Sequence, residues 1–189
     1  MLVKTQSMTL DDYLAYDDGT DTRYELVNGE LVEMPAESDL NRRIATLLLV
    51  YFLSLGIPYY CLGIGTQIAV SGARATARQP DLVLLSEEAA IALQEFTKGL
   101  ITYDMPPPRL VVEVVSPGQS ADRDYRFKRT EYAARQIFEY WIVDPIAATI
   151  TVLHWVNGLY EEQVFTGTAG IFSPELGELA LTVDQVLQA

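Results

Sequence analysis

The sequence has few of the side chains from which many catalytic and metal centres are built. It contains a single cysteine, Cys61, and a single histidine, His154. One cysteine cannot form a disulfide within the chain or supply a Cys-based zinc site. A nucleophilic cysteine normally needs a basic partner, and one histidine far along the chain is weak support for such a pair. We therefore expect Cys61, with Tyr59, Tyr60 and Leu62 beside it, to be a buried thiol in a strand.

Long apolar runs are missing as well, and we expect no secretory leader. The longest apolar stretch, residues 44–57, is interrupted by Thr46, Ser54 and Gly56. It is also shorter than the roughly 18 residues that a membrane span needs, so it predicts a buried helix. Residues 1–6 contain no apolar segment that could direct secretion. We expect a cytoplasmic protein with no membrane partner.

Positive charge is scarce, because 13 Lys and Arg stand against 26 Asp and Glu, for a formal net charge of −13. This balance disfavours a protein that binds nucleic acid over its whole surface, because two polyanions repel each other. The basic residues are unevenly spread, however, and six of the 13 fall between Arg109 and Arg135. A local basic face is therefore compatible with binding nucleic acid.

What the sequence does contain is a regular alternation of helix and strand patterns within 189 residues, without a linker or repeat. We expect one domain over residues 1–189. The patterns predict helices capped at Thr9, at Ser38 or Asp39, at Ser86, at Ser120 or Asp122 and at Thr182, and strands over 23–27, 30–34, 59–62, 67–70, 81–85, 109–115, 139–143, 149–156 and 159–165. This order indicates an α/β (α+β) fold, with a mixed central sheet and helices on its faces.

Two acidic residues carry the chemistry that this fold suggests. Glu113 is the one charge in the apolar strand Leu110–Val115, where an unpaired carboxylate would cost several kcal/mol, so it needs either an arginine partner or a functional role. Asp81 follows Pro80 at the mouth of another apolar strand. Carboxylates at neighbouring strand ends are ligands that Mg²⁺ or Mn²⁺ prefers. Such an ion activates water and offsets charge on a phosphate, and Lys128 on the following helix could reach the same place.

Four motifs in order then resemble a known family. They are YELVNGELV over 24–32, QPD over 79–81, VEVVSP over 112–117 and YWIVDP over 140–145. Together they resemble the Uma-two family of candidate restriction endonucleases, within the PD-(D/E)XK nuclease superfamily, from about Thr9 to the C-terminus. The resemblance implies a restriction-endonuclease-like fold in which Asp81 and Glu113 bind metal and Glu25, by its position, is a further acid of the site.

One motif position departs from the superfamily pattern. The residue two after Glu113 is Val115 and not lysine, and the resemblance implies that the lysine has moved to Lys128 on the next helix. From the residues alone, Lys128 could equally be a solvated helix residue. In the same way, Glu25 could be a solvent-facing partner of Arg23 on its hairpin strand.

Several arginines are candidates for contacts to substrate phosphate. Arg42 and Arg43 lie on the first long helix, and Arg126 and Arg129 on the helix after the Glu113 strand. Charged residues at such positions are often only the wet face of an amphipathic helix, so both interpretations stay open.

The sequence leaves three hypotheses for function. The first is a Mg²⁺-dependent endonuclease that cleaves DNA, in which Asp81 and Glu113 hold the metal, Glu25 assists, and Lys128 orients water or steadies the transition-state charge. The second is a nuclease-like fold kept as a binding or assembly module, which Val115 and the negative net charge would allow. The third is a metal-dependent hydrolase of a small phosphoester. Because duplex DNA has two-fold symmetry, we expect a homodimer.

Overall fold

The structure is a computed structural model, and it describes residues 7–34, 38–71, 74, 76–94, 99–116 and 123–189, with only the backbone at 123 and 124. The helices are α1 Leu10–Ala15, α2 Asp39–Ser54, α3 Glu87–Leu93, α4 Arg129–Ala134 and α5 Val183–Leu187. The strands are β1 Tyr24–Val27, β2 Glu30–Glu33, β3 Leu62–Gly63, β4 Gln67–Val70, β5 Thr76–Arg78, β6 Leu82–Leu84, β7 Leu100–Ile101, β8 Leu110–Val114, β9 Glu139–Asp144, β10 Thr149–Val156, β11 Leu159–Thr166, β12 Gly170–Ser173 and β13 Gly177–Thr182. A 3₁₀ turn covers Tyr59–Cys61, and a π-helical segment, Arg123–Lys128, leads directly into α4.

Side-chain caps set the starts of the helices. Thr9 accepts a hydrogen bond from the backbone N–H of Asp12, whose carboxylate binds the Thr9 backbone in return. Thr182 caps α5 with the same reciprocal pair of hydrogen bonds, and Ser38 caps α2 by accepting the backbone N–H of Asn41. Each cap satisfies a backbone N–H that the first helical turn leaves unpaired, which is why these predicted starts are confirmed. The caps predicted at Ser120 or Asp122 lie outside the described residues.

The strands form two mixed sheets and a separate hairpin. The five-stranded sheet has the order β2-β1-β5-β4-β7, in which β4 and β7 are parallel and the other pairs antiparallel. The six-stranded sheet has the order β11-β10-β9-β8-β6-β3, with β8 and β9 parallel. Strands β12 and β13 pair with each other. The predicted mixed α/β architecture is therefore confirmed.

Two Asn-Gly turns close the predicted hairpins. Asn28 and Gly29 have φ angles of 52° and 80° between β1 and β2, and Asn157 and Gly158 have 51° and 95° between β10 and β11. Both central residues of a type I′ turn need positive φ, and Asn-Gly is the pair that accepts it most readily. Both hairpins are confirmed by the strand register.

The main core lies between α2 and the six-stranded sheet. Every residue of β8 and β9 is buried, as expected of central strands covered on both faces. The ring of Phe52 on α2 packs edge-on against Trp141 on β9, with centroids 5.9 Å apart. A smaller cluster beneath the five-stranded sheet joins Tyr13 of α1 to Leu26 of β1. Among the residues that the structure describes, no helix is long and apolar enough to cross a membrane.

The strand predicted over 59–62 is wrong. Cys61 donates its backbone N–H to the carbonyl of Pro58 at 3.0 Å, which closes a 3₁₀ turn, and the chain extends only at Leu62–Gly63 to pair with β6. Tyr59 is 79% exposed, so its aromatic ring gains nothing from a pleated, half-buried surface and the turn after proline prevails. Cys61 is buried as expected, but in the turn.

Candidate active site

The chain crosses from the five-stranded to the six-stranded sheet through Gln79, Pro80 and Asp81. Asp81 donates its backbone N–H to the carbonyl of Val112 at 3.1 Å. Its Oδ2 accepts the N–H of Val114 at 2.6 Å. The Asp81 carboxylate therefore lies against the backbone of β8 at the residue next to Glu113, and the fold brings together two acids that are far apart in the chain.

Glu113 is 4% exposed, and both of its oxygens are engaged. Oε2 lies 2.7 Å from Nζ of Lys128, which is itself only 3% exposed. Oε1 accepts a hydrogen bond of 2.7 Å from the hydroxyl of Tyr132. A buried cation and a neutral donor thus stabilise the buried carboxylate, and the cation is the lysine that the family resemblance singled out.

Lys128 and Tyr132 come from one continuous helical segment. Lys128 ends the π-helical segment and Tyr132 lies four residues later on α4, which places both on one face. Burial and, next in size, the charge of Glu113 raise the pKa of Tyr132 well above its ordinary value. The hydroxyl therefore stays protonated and donates a hydrogen bond to Glu113. Val115 is 2% exposed. The position that carries lysine in the superfamily pattern is therefore packed with an apolar side chain.

Glu25 is buried at 2% exposure and faces a cation other than Arg23. Its Oε2 lies 3.1 Å from Nη1 of Arg78, and its Oε1 accepts the backbone N–H of Gln79 at 3.1 Å. The alternative interpretation of Glu25 as a solvent-facing partner of Arg23 is therefore wrong. Because Gln79 stands two residues before Asp81, Glu25 borders the site.

Arg78 is a buried cation that the sequence did not single out. It is 2% exposed and binds Glu131 on α4 through Nε at 2.7 Å and Nη2 at 2.8 Å, besides its contact with Glu25. Burial alone would lower the pKa of Arg78, but the hydrogen bonds to Glu131 and the charge of Glu25 raise it above the ordinary arginine value. The helix that carries Lys128 and Tyr132 is thus tied to the five-stranded sheet.

Asn41 contributes a second polar contact that the sequence did not reveal. It lies in the first turn of α2, is 4% exposed, and donates through Nδ2 to the Val114 carbonyl at 3.0 Å and to Ser116 Oγ at 2.9 Å. Ser38, the cap of α2, donates to its Oδ1 at 2.7 Å. The end of β8 is therefore held by Asp81 on its N–H side and by Asn41 on its carbonyl side.

The candidate phosphate-binding arginines lie on the surface. Arg42 is 60% exposed and pairs with Asp39 at 2.6 Å, and Arg43 approaches the same carboxylate at 3.3 Å. Arg129 pairs with Glu162 and donates to the Tyr160 carbonyl at 3.1 Å. Arg126 is exposed.

These arginines do not meet the acids of the site. No contact of Arg42, Arg126 or Arg129 with Asp81 or Glu113 occurs within the described parts of the chain. Asp81 contacts the backbone of the strand that carries Glu113, Glu113 pairs with Lys128, and Glu25 binds the backbone just before Asp81, whereas the arginines lie on the surface.

The donor set fits a divalent ion that takes few protein ligands. No group of three or more His, Cys, Asp or Glu side chains with metal-site geometry is found over the described ranges. Mg²⁺ is usually held by one or two carboxylates and completes its shell with water and substrate phosphate. Asp81 and Glu113 supply that number of carboxylates. Glu25 is committed to Arg78 and Gln79.

Comparison with known proteins agrees with this architecture. The family model described as "Uma2: Putative restriction endonuclease" matches residues 10–184. The crystal structure of a "putative nuclease belonging to DUF820" from Anabaena variabilis is similar, with a TM-score of 0.72 and 16% sequence identity over 96% of this chain and 98% of that chain. At this identity the likeness shows a shared fold. The comparison with curated proteins gave no significant match.

Proposed function

We propose that this chain, which belongs to the Uma2 family, is a metal-dependent endonuclease that hydrolyses phosphodiester bonds in DNA. The observation that carries the proposal is the approach of Asp81 to the strand that holds Glu113, with Lys128 at 2.7 Å from that second acid. Two acids from adjacent strands and a lysine from the helical segment that follows in the chain are groups that phosphodiester hydrolysis uses.

Each residue has a distinct task in this proposal. Asp81 and Glu113 would hold Mg²⁺ or Mn²⁺, which lowers the pKa of a bound water and offsets charge on the phosphate. Lys128 supplies a fixed positive charge, buried and held by Glu113, where negative charge builds on the phosphate oxygens. Tyr132 holds the Glu113 carboxylate in one orientation. Glu25 assists indirectly, because it fixes the backbone of Gln79 just before Asp81.

The remaining expectations are proposals of the same kind. We propose one domain over residues 1–189, a cytoplasmic location, and a homodimer whose two-fold axis matches that of duplex DNA. Arg126, which is exposed and follows the Glu113 strand in sequence, is the best placed of the surface arginines to meet a phosphate. Arg42 and Arg129 would first have to leave Asp39 and Glu162.

One observation favours a second candidate function. The Glu113–Lys128 pair is buried and its geometry is good, as in an ion pair that serves structure alone. Together with Val115 at the motif position, this supports a nuclease fold that only binds or assembles. Metal binding separates the two candidates, because a purely structural pair offers no site for an ion.

The test compares Asp81→Asn and Glu113→Gln with the unchanged protein on plasmid DNA, single-stranded DNA, RNA and a small phosphodiester, each with Mg²⁺, Mn²⁺ or EDTA. Both variants should lose metal-dependent DNA cleavage by about a hundredfold or more while staying folded. The control is Glu30→Gln, which removes an exposed acid on β2 and should leave the rate unchanged.

Calorimetric titration with Mn²⁺ accompanies the cleavage assay. Binding that is lost in Asp81→Asn supports the nuclease. If Mn²⁺ does not bind and no substrate is cleaved, the binding-module interpretation replaces it. Cleavage of the small phosphodiester alone would point to a different hydrolase substrate.

A further inference from the structure

A cavity of about 290 Å³ opens beside the candidate active site. Its lining comes from α1, the loop before β1, and the residues around β4 and β5, and it includes Tyr16, Tyr24, Gln67 and Gln79. We call it the tyrosine–glutamine cavity. Gln79 belongs to both places, since its side chain lines the cavity while its backbone N–H binds Glu25 and its chain leads in two residues to Asp81. Gln79 therefore links the cavity to the segment that leads to Asp81.

Aromatic rings form one side of this cavity and are held in place. Tyr16 and Tyr24 pack edge to face, with centroids 5.9 Å apart and an angle of 88° between their planes. The Tyr24 hydroxyl donates to Asp18 at 2.9 Å, and the Tyr13 hydroxyl donates to the Tyr24 carbonyl at 2.6 Å. Ordered rings at the edge of an open cavity offer π-faces on which a planar ligand can stack.

Two carboxamides form the side nearest the candidate site. Gln67 Nε2 lies 3.3 Å from Gln79 Oε1 and 3.5 Å from the Tyr24 carbonyl, so it makes two long contacts. Gln79 thus accepts a hydrogen bond through Oε1, and its own Nε2 donates to no group within the described parts of the chain. A carboxamide that offers a donor and an acceptor side by side matches the hydrogen-bonding edge of a nucleobase, as glutamine does with adenine.

The charge of the lining limits which part of a nucleotide could enter. Asp17 and Asp18 outnumber Arg23, so the cavity repels phosphate. A nucleobase is neutral and planar, and it meets no such penalty. A nucleotide would therefore place its base in the cavity and its phosphate outside.

From these observations we propose that the tyrosine–glutamine cavity binds one unpaired nucleobase of the substrate strand, next to the phosphate that is cleaved. The inference rests on the proposed function, because the substrate must be a nucleic acid. It adds that the strand has to present a base outside the helical stack. An unpaired strand meets this condition at lower cost than an intact duplex.

The experiment measures the binding of single-stranded oligodeoxynucleotides by fluorescence anisotropy in Ca²⁺. The oligonucleotides share one sequence and differ in the position of a single abasic site. One position should show a loss of affinity of roughly tenfold, in the range expected for a base stacked on aromatic side chains. Loss at that one position supports the proposal.

Gln79→Leu removes the carboxamide and keeps the backbone contact to Glu25. The tyrosine rings remain, so the difference in affinity between the intact strand and the strand that is abasic at the sensitive position should shrink in this variant and not vanish. Gln163→Leu on β11, an exposed glutamine, is the matched control and should keep the difference. Gln67→Leu, read in the same assay, replaces Gln79→Leu if circular dichroism shows that the latter is unfolded.

The results separate this inference from the proposed function. Equal affinity for every abasic strand, no binding at all, or unchanged discrimination in folded Gln79→Leu would overturn the base site, and cleavage that depends on Asp81 would still stand. Conversely, a position-specific effect that Gln79→Leu reduces, in a protein that cleaves nothing, would uphold the base site and overturn the nuclease.

Discussion

Arg78 donates two hydrogen bonds to the carboxylate of Glu131, from Nε at 2.7 Å and from Nη2 at 2.8 Å. The two residues belong to β5 and α4, so this contact joins the five-stranded sheet to the helix that follows Lys128. Planar bidentate pairs of this kind fix orientation as well as distance. The position of the lysine ammonium against Glu113 therefore depends on an arginine in the other sheet.

Replacing Arg78 with alanine should lower the free energy of unfolding by about 3–5 kcal/mol, because it leaves the buried carboxylate of Glu25 and the largely buried one of Glu131 without their cation. Urea unfolding measures the change. Arg42→Ala is the matched control, since that arginine pairs with Asp39 on an exposed surface and should cost about 1 kcal/mol or less. Equal losses in the two variants would contradict the importance of the buried pair.

Tyr132→Phe removes only the hydroxyl that binds Glu113. A hydrogen bond to a charged group contributes about 1.5–3 kcal/mol, so stability should fall by that order. If Tyr132 orients a metal-binding carboxylate, DNA cleavage should also fall by roughly 10–100-fold. Tyr160→Phe serves as the comparison, because it deletes another buried hydroxyl, which binds the Ile137 carbonyl. It should lower stability without changing cleavage, and a similar loss of cleavage in both would argue against a role for Tyr132.

Glu139 makes stability depend on pH at a point away from the candidate site. Burial raises the pKa of Glu139 above its ordinary value of 4.5, although hydrogen bonds from Ser173, Trp141 and the Glu175 backbone lower it. The folded protein therefore binds this proton more tightly than the unfolded chain does. Its contribution to stability is greatest below pH 4.5 and declines as pH rises from there through the raised pKa.

Urea unfolding of the unchanged protein and of Glu139→Gln, measured from acidic to neutral pH, tests this prediction. The free energy of unfolding of the unchanged protein minus that of the variant should decrease as pH rises through the window and then become constant. The subtraction removes most of the effect of the other acids. A difference that does not vary with pH would show that Glu139 titrates alike in the folded and unfolded states.

Gly29→Ala and Gly158→Ala place the same substitution in two Asn-Gly turns of the same kind. Both glycines have positive φ, at 80° and 95°, so each change should cost about 1–2 kcal/mol in backbone strain. A Cβ at Gly158 meets nothing within 4 Å, whereas one at Gly29 would lie 2.7 Å from Ser7 Cβ. Thermal unfolding should show the larger loss for Gly29→Ala, and equal losses would mean that the segment at Ser7 moves aside freely.

The sequence predicted those parts of the fold that local patterns determine. The Asn28-Gly29 turn and the helix cap at Thr9 each depend on a few neighbouring residues, so the local sequence predicts both. Strands β5 and β7, with three and two residues, are too short to show a periodic pattern, and only pairing with distant strands makes them extended. The structure places Tyr59 in a turn because the preceding proline outweighs its preference for strands.

Local sequence also predicts part of the candidate site. Glu113 stood out as a charge within an apolar strand, and Asp81 as an acid after proline. The contacts of Arg78 with Glu25 and Glu131, each 53 residues away, exist only after the two sheets and α4 have assembled. Arg78 and Asn41 carry no local signal of burial, so no pattern in the sequence marks either as part of the site.

The hydrogen bond from Val114 N–H to Asp81 has a consequence for how the Pro-Asp signature is interpreted across related chains. Just before β6 begins, the Asp81 carboxylate accepts the N–H of Val114 in place of a main-chain carbonyl. Loss of that oxygen would leave the N–H without this acceptor and weaken the sheet there, even in a protein that is not an enzyme. Selection for folding alone can preserve this residue. The aspartate alone is therefore no marker of activity among related chains, and metal binding has to be measured for each.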